Sequence, residues 1–199
     1  MKTLRWTVFV FGMTLCATAA MATTVRAFDT WGLVVASDRI VRAQVIESKS
    51  FWNGDHTRIY TDTVFRVRTA YYEREADSKR RPSPRDEVVV RQLGGTMEGA
   101  RMTVPGTTSF QIGDDVVLFL RHQRGFHTLV GMAQGAVRIQ RTPNGPTVSS
   151  DLEGAHLIQD TSEILGALDL QGSKPVFWTP YRSRLIHLIQ QRISREVSE

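Results

Sequence analysis

The run Val116-Val117-Leu118-Phe119-Leu120 constrains the fold more than any other stretch of the chain. Five consecutive apolar residues suit a strand buried on both faces, where the usual alternation gives way to a continuous apolar run. We expect it to be the central strand. A second run, Val88-Val89-Val90, lies upstream, and Gly94, Gly95, Gly99, Gly106 and Gly113 punctuate the residues between. Glycines so placed mark turns, bulges and a sharply bent sheet. No lysine, serine or helix start follows Gly94-Gly95 at the spacing of a phosphate loop, so that pair reads as a turn.

Strand patterns surround this centre. In IVRAQVIES, Val41, Ala43 and Val45 face one way and Arg42 and Gln44 the other, and Phe51-Trp52-Asn53-Gly54-Asp55 ends the strand in a hairpin-like turn. In RIYTDTVFRVRTAYY, residues Ile59, Thr61, Thr63, Phe65, Val67 and Tyr71 share a face opposite Asp62, Arg66 and Arg68. The charged stretch 73–87, with Pro82 and Pro84, is an exposed connection. After Leu120 a turn at Gln123-Arg124-Gly125 leads to strands over Phe126 to Met132 and Ala136 to Gln140, with Val137 and Ile139 inward.

Helical patterns flank the strands. Apolar residues at 28, 31, 34 and 35 predict a short N-terminal helix that Ser37-Asp38 ends. Thr179-Pro180 predicts a helix start, with Thr179 as N-cap, and Leu185, Leu188, Ile189, Ile193 and Val197 form an amphipathic stripe. Thr142-Pro143-Asn144-Gly145-Pro146 is expected to stop the sheet, and Ser162 to Leu170 to form a short helix. The fold class that follows is α+β and mainly β: a small OB-like barrel, closed or partly open, with a short N-terminal helix and a C-terminal amphipathic helix.

The first residues have the pattern of an export signal. Lys2 and Arg5 supply a basic start, Trp6 to Ala17 is apolar, and Ala20-Met21-Ala22 places small residues at the cleavage-specifying positions. The domain reading is therefore 1–22 signal peptide, 23–141 barrel with lead-in helix, 142–178 irregular connection and 179–199 C-terminal helix packed on the barrel. The expected location is periplasmic or secreted, with no integral membrane segment after cleavage after Ala22. Cys16 lies inside the signal, so the mature chain has no cysteine for a disulfide. Losing Lys2 and Arg5 lowers the formal charge from +5 to +3, too mild a surplus to point to nucleic acid.

The order ASDRIVRAQV, RIYTDTVFRV, DEVVVRQLGG, GDDVVLFL, FHTLVGMAQGAVRI resembles an OB-like barrel of the netrin/TIMP type. It is also similar to exported bacterial proteins with the same succession of strand, GG, VPG, F-x-x-G and LFL. The resemblance spans roughly 37–140 and implies a fold. It does not carry over inhibition of metalloproteases, which in that family needs a cysteine that reaches the zinc.

Catalytic chemistry is not legible in the residue pattern. His56, His122, His127, His156 and His187 have neither the i, i+4 helical spacing of a zinc protease nor a cysteine partner, although a hairpin would bring His122 and His127 together. Ser109 and Ser162 lie in no nucleophile elbow, and Asp114-Asp115 reads as a turn before a strand. We therefore expect no catalytic, cofactor or metal residues. The function read from this pattern is an exported, monomeric, non-enzymatic binding or accessory module with a protein partner, and the alternative is an extracytoplasmic hydrolase. Trp52, Arg66, Arg68, Tyr72 and Trp178 are the expected binding surface, as arginines and amphipathic aromatics suited to contact.

Overall fold

The computed structural model describes residues 24–74, 87–123, 125–150, 156–158 and 176–198. The segment expected to be an export signal, most of the charged connection and the helix expected over 162–170 lie outside the described residues.

The chain order begins with strand β1 (Thr24–Arg26), helix α1 (Thr30–Ala36), and the long strands β2 (Arg39–Trp52) and β3 (Ile59–Glu73). Next come β4 (Glu87–Leu93), the small hairpin of β5 (Gly95–Met97) and β6 (Ala100–Met102), β7 (Asp115–Gln123) and β8 (Phe126–Leu129). Strands β9 (Ala136–Thr142), β10 (Gly145–Ser150), β11 (His156–Ile158) and β12 (Val176–Phe177) precede helix α2 (Trp178–Glu196). The protein is mainly β with one helix near each end of the described chain.

Eight strands form one sheet in the order β12-β10-β9-β7-β2-β3-β4-β8, and β7 pairs again with β8. That second pairing bends β2, β3, β4, β8 and β7 into a barrel-like ring. The ring is partly open: β8 meets β4 through a single parallel pair, Val90 with His127, whereas four antiparallel pairs join β7 to β8. In the small sheet β5-β6, strand β5 lies against β2 and β3. A Cβ on Gly95 would stand 2.4 Å from Thr61 Oγ1 and 2.5 Å from Ser50 Oγ, so a residue without a side chain is required there.

Strand β7 is buried on both faces, as its composition predicts. Val116, Leu118 and Leu120 join Val41, Ala43, Val45, Phe65, Val67, Val88 and Val90 in the interior of the ring. Val117 and Phe119 point the other way, into a second core with Ile40, Val137, Ile139 and Val148. Leu33 and Val34 of α1 and Tyr181, Leu185, Leu188 and Ile189 of α2 complete that second core. Ile193 and Val197, expected in the same amphipathic stripe, are exposed, whereas Leu185, Leu188 and Ile189 pack over the outer face of the sheet. Val137 and Ile139 are buried against the helices for the same reason.

Four local readings change. Thr142 and Gly145 close a hairpin, and β10 runs antiparallel to β9 over six residue pairs, so 142–146 turns the sheet instead of stopping it. Glycine at 145, with φ of +111°, permits that turn. Strand β8 ends at Leu129, and a 3-10 turn over Met132–Gly135 replaces the end of the expected strand. Helix α2 begins at Trp178, with Phe177 as N-cap and no side-chain cap, so Thr179 is already helical. Pro180 then falls in the first turn, where its missing N–H has no intrahelical acceptor to lose.

The fourth change concerns the end of β3. The register between β2 and β3 slips between Ile40 and Val41 and between Arg42 and Ala43, so that Tyr71 and Arg68 stand opposite no residue of β2 in the ladder. Each extra residue reverses the alternation. Ala70 consequently packs toward the ring interior, whereas Tyr72 enters the core beneath the helices. Tyr71 does not share the face of Phe65.

Candidate functional site

The outer face of the ring holds an ordered aromatic and arginine cluster. Strand alternation sends Ile59, Thr63 and Phe65 inward and buries them, so Tyr60, Asp62 and Arg66 face outward. The register then places Phe51 opposite Tyr60 and Arg91 opposite Asp62. The Phe51 and Tyr60 rings stack with centroids 6.2 Å apart. Arg91 donates through Nε and Nη2 to the two oxygens of Asp62, at 2.7 and 2.6 Å. Its guanidinium also stands 4.9 Å from the Phe51 ring centroid and 4.4 Å from that of Phe126 on β8.

This arrangement links four strands through one side chain. The hydrogen bonding to Asp62 is the main cause of a pKa for Arg91 above its ordinary value, outweighing the cost of partial burial. The bidentate pair and two flanking rings restrict the arginine's rotamers, so ordering entropy is already spent before any ligand arrives. Phe51, Tyr60, Arg91 and Phe126 are each half-buried, leaving part of the cluster in solvent.

The adjoining hairpin tip is also ordered. Asn53 Oδ1 accepts from the N–H groups of Thr57 and Arg58, both at 2.8 Å, and Asn53 Nδ2 donates to Thr57 Oγ1. Trp52 is half-buried beside it, and its Nε1 donates to Glu98 Oε2 at 3.2 Å. The tryptophan therefore ties the tip to the turn between β5 and β6.

The other residues expected on a binding surface separate. Arg66 and Arg68 are exposed on β3, where Arg66 faces Glu87 at 3.7 Å and Arg68 donates to Gln44 Oε1 at 2.6 Å. Tyr72 is buried, its hydroxyl donates to Glu196 and the Arg192 guanidinium covers its ring. Trp178 is buried in the same core, with Arg42 over its ring at 4.9 Å. Tyr72 and Trp178 are thus core residues: the two slips cancel by Tyr72, which stays on the outer face where the helices cover it, and Trp178 begins the helix that packs there. The sequence reading missed Phe51, Tyr60 and Phe126 because each is unremarkable alone and only strand register juxtaposes them.

A polar cleft of about 340 Å³ lies at the other end of β7, lined by Ser109, Gln111, Asp114, Asp115, Arg138 and Gln140 among others. Asp115 accepts two hydrogen bonds from Arg42, at 3.0 and 2.6 Å. Asp114 pairs with Arg138, which donates to the Ser109 carbonyl as well. Ser109 and the two aspartates do come together, but both carboxylates are held by arginines. With their oxygens engaged by guanidinium groups they fit a structural latch better than a general base, which must be free to reach a substrate proton. Among the described residues, no group of three or more histidine, cysteine, aspartate or glutamate side chains is placed to hold a metal.

No protein-family model matches the chain, and no curated protein matches it either. Among the described residues, no helix is long and apolar enough to cross a membrane.

Proposed function

We propose that the protein is an exported, monomeric, non-enzymatic binding module that engages a protein partner through Phe51, Tyr60, Arg91 and Phe126. The observation that carries this reading is the placement of Arg91 between two aromatic rings on a partly exposed sheet face. Arginine and aromatic side chains dominate the energetic centres of protein interfaces, and a cluster already held rigid binds at a smaller entropic cost. Its charge is committed to Asp62, which disfavours nucleic acid, where an arginine must be available to phosphate. Export is proposed on the basic start, apolar run and Ala20-Met21-Ala22 site of the first 22 residues. The five-stranded, partly open ring supports kinship with OB-like barrels of the netrin/TIMP type.

The test is quantitative affinity capture from the extracytoplasmic fraction, comparing the natural chain with the double variant Phe51→Ala/Phe126→Ala. Phe177→Ala, at the far edge of the sheet, is the control. One protein should be enriched by the natural chain and the control and reduced at least about tenfold by the double variant, equivalent to ~1.4 kcal/mol. The same proteins captured equally by all three would overturn the reading. N-terminal sequencing of the exported material should begin at Thr23, and an intact Met1 would remove the argument for export.

A further inference from the structure

We propose that His122 and His127 form a two-histidine site for a divalent transition ion of the zinc, nickel or copper kind, clamping β7 to β8 at the seam of the ring. The two residues are directly opposite each other on antiparallel strands. Their ring centroids are 5.2 Å apart, with the planes at 79°. Two imidazoles bound to one tetrahedral ion at about 2.0–2.1 Å per nitrogen place their centroids ~5 Å apart, which agrees with that separation. Neutral imidazole is a ligand suited to zinc, copper and nickel, and hard cations such as magnesium or calcium prefer oxygen.

The backbone that carries the pair is held from several sides. The His122 N–H donates to Asp38 Oδ2 at 3.0 Å, and His127 forms the single pairing of β8 with β4. Two positions along each strand, Leu120 pairs with Leu129, and Leu120 is wholly buried. Chelation therefore orders little that is not already ordered. His122 is exposed and His127 half-buried, so an ion can enter from solvent and retain water, or a donor from a partner, in its remaining positions. The location gives the ion a specific effect. Strand β8 is only four residues long and closes the ring through one pair, so a link between His122 and His127 would fasten the least extensively paired strand of the ring.

The experiment is a series of thermal melts of the mature chain with nickel or zinc chloride, together with titration calorimetry. The melting temperature should rise with the logarithm of ion concentration, as expected for a ligand that binds only the folded state, and binding should be one ion per chain. His122→Gln and His127→Gln should each abolish the rise, and His56→Gln and His187→Gln should preserve it. Electron paramagnetic resonance of the copper-loaded natural chain should report two ring nitrogens, a readout independent of how the variants fold. The absence of a shift at millimolar ion, a shift that survives in either variant of the pair, or fewer than two coordinating nitrogens would overturn the proposal.

Discussion

The Arg192 guanidinium, near the end of α2, donates to the carbonyl oxygen of Val34 in α1 at 2.5 Å, across 158 residues of sequence. The same nitrogen donates to the Ser37 carbonyl at 2.7 Å, so one helix caps the C-terminal end of the other. A cation there meets the negative end of the helix dipole and two carbonyls at the helix terminus, of which that of Val34 otherwise takes only a long 3.4 Å bond from the Ser37 N–H. Glu196 and the face of the Tyr72 ring balance the buried charge.

Arg192→Ala should therefore be among the most destabilising single changes in α2. A buried acceptor left without its partner costs about 1–3 kcal/mol; the Ser37 carbonyl would be so left and the Val34 carbonyl would keep only its long bond from the Ser37 N–H, so a loss of about 3 kcal/mol is expected in urea unfolding. Arg192→Lys should recover only part, because an ammonium cannot reproduce the guanidinium fork. Equal midpoints for the natural chain and both variants would show that apolar packing alone holds the helices together.

Phe119 and Arg66 provide a contrast between the two faces of the sheet system. Phe119 is wholly buried between the sheet and the helices, so Phe119→Ala should cost about 3–5 kcal/mol through lost burial and the cavity left behind. Arg66 is exposed and its contact with Glu87 is long, so Arg66→Ala should cost under about 0.5 kcal/mol. Chemical denaturation of the two variants side by side measures the difference, and similar losses would mean that the strand faces are wrongly placed.

Gly95 and Gly99 both have positive φ, at +140° and +81°, yet their surroundings differ. A Cβ at Gly99 meets nothing within 4 Å, whereas one at Gly95 collides with two hydroxyl oxygens. Gly99→Ala should cost only the backbone strain, about 1–2 kcal/mol. Gly95→Ala should exceed it by at least about 1 kcal/mol, because the β5-β6 hairpin must move off Ser50 and Thr61. Melting temperatures that rank the two in the opposite order would refute the close approach.

Glu196 contributes a small acid-dependent increment. Burial acts to raise its pKa, but hydrogen bonds from Arg192 and Tyr72 outweigh that and hold the carboxyl below its ordinary 4.5. A depressed folded-state pKa means that ionisation adds stability above the unfolded value, and that this addition is lost as pH falls through the folded one. The side chain is 46% exposed, so solvent screening limits the effect to well under ~1 kcal/mol. Glu196→Gln should unfold slightly earlier than the natural chain at neutral pH. The gap should close as the pH falls through the depressed folded-state pKa, and a gap that widens with acid would reverse the assignment.

Residue patterns alone carried the central strand, the two long strands of the hairpin and the C-terminal helix, because each signal is local. Continuous apolar character in Val116 to Leu120 has one economical meaning, and the alternation from Ile59 to Val67 follows from the two-residue strand period. The burial of Tyr72 was not legible, because the two register slips against β2 cancel and leave it on the outer face with Arg66, and only tertiary packing covers that end of the face with α1 and α2. Trp178 likewise has no local mark that distinguishes a contact residue from the first buried turn of a packed helix. The Arg91 cluster and the facing of His122 and His127 also depended on register, which joins residues 51, 62, 91 and 126 from four strands. Periodicity records which side of an element is buried, but it does not record what lies opposite. Long-range pairing settles that, through backbone hydrogen bonds between strands that are distant in sequence.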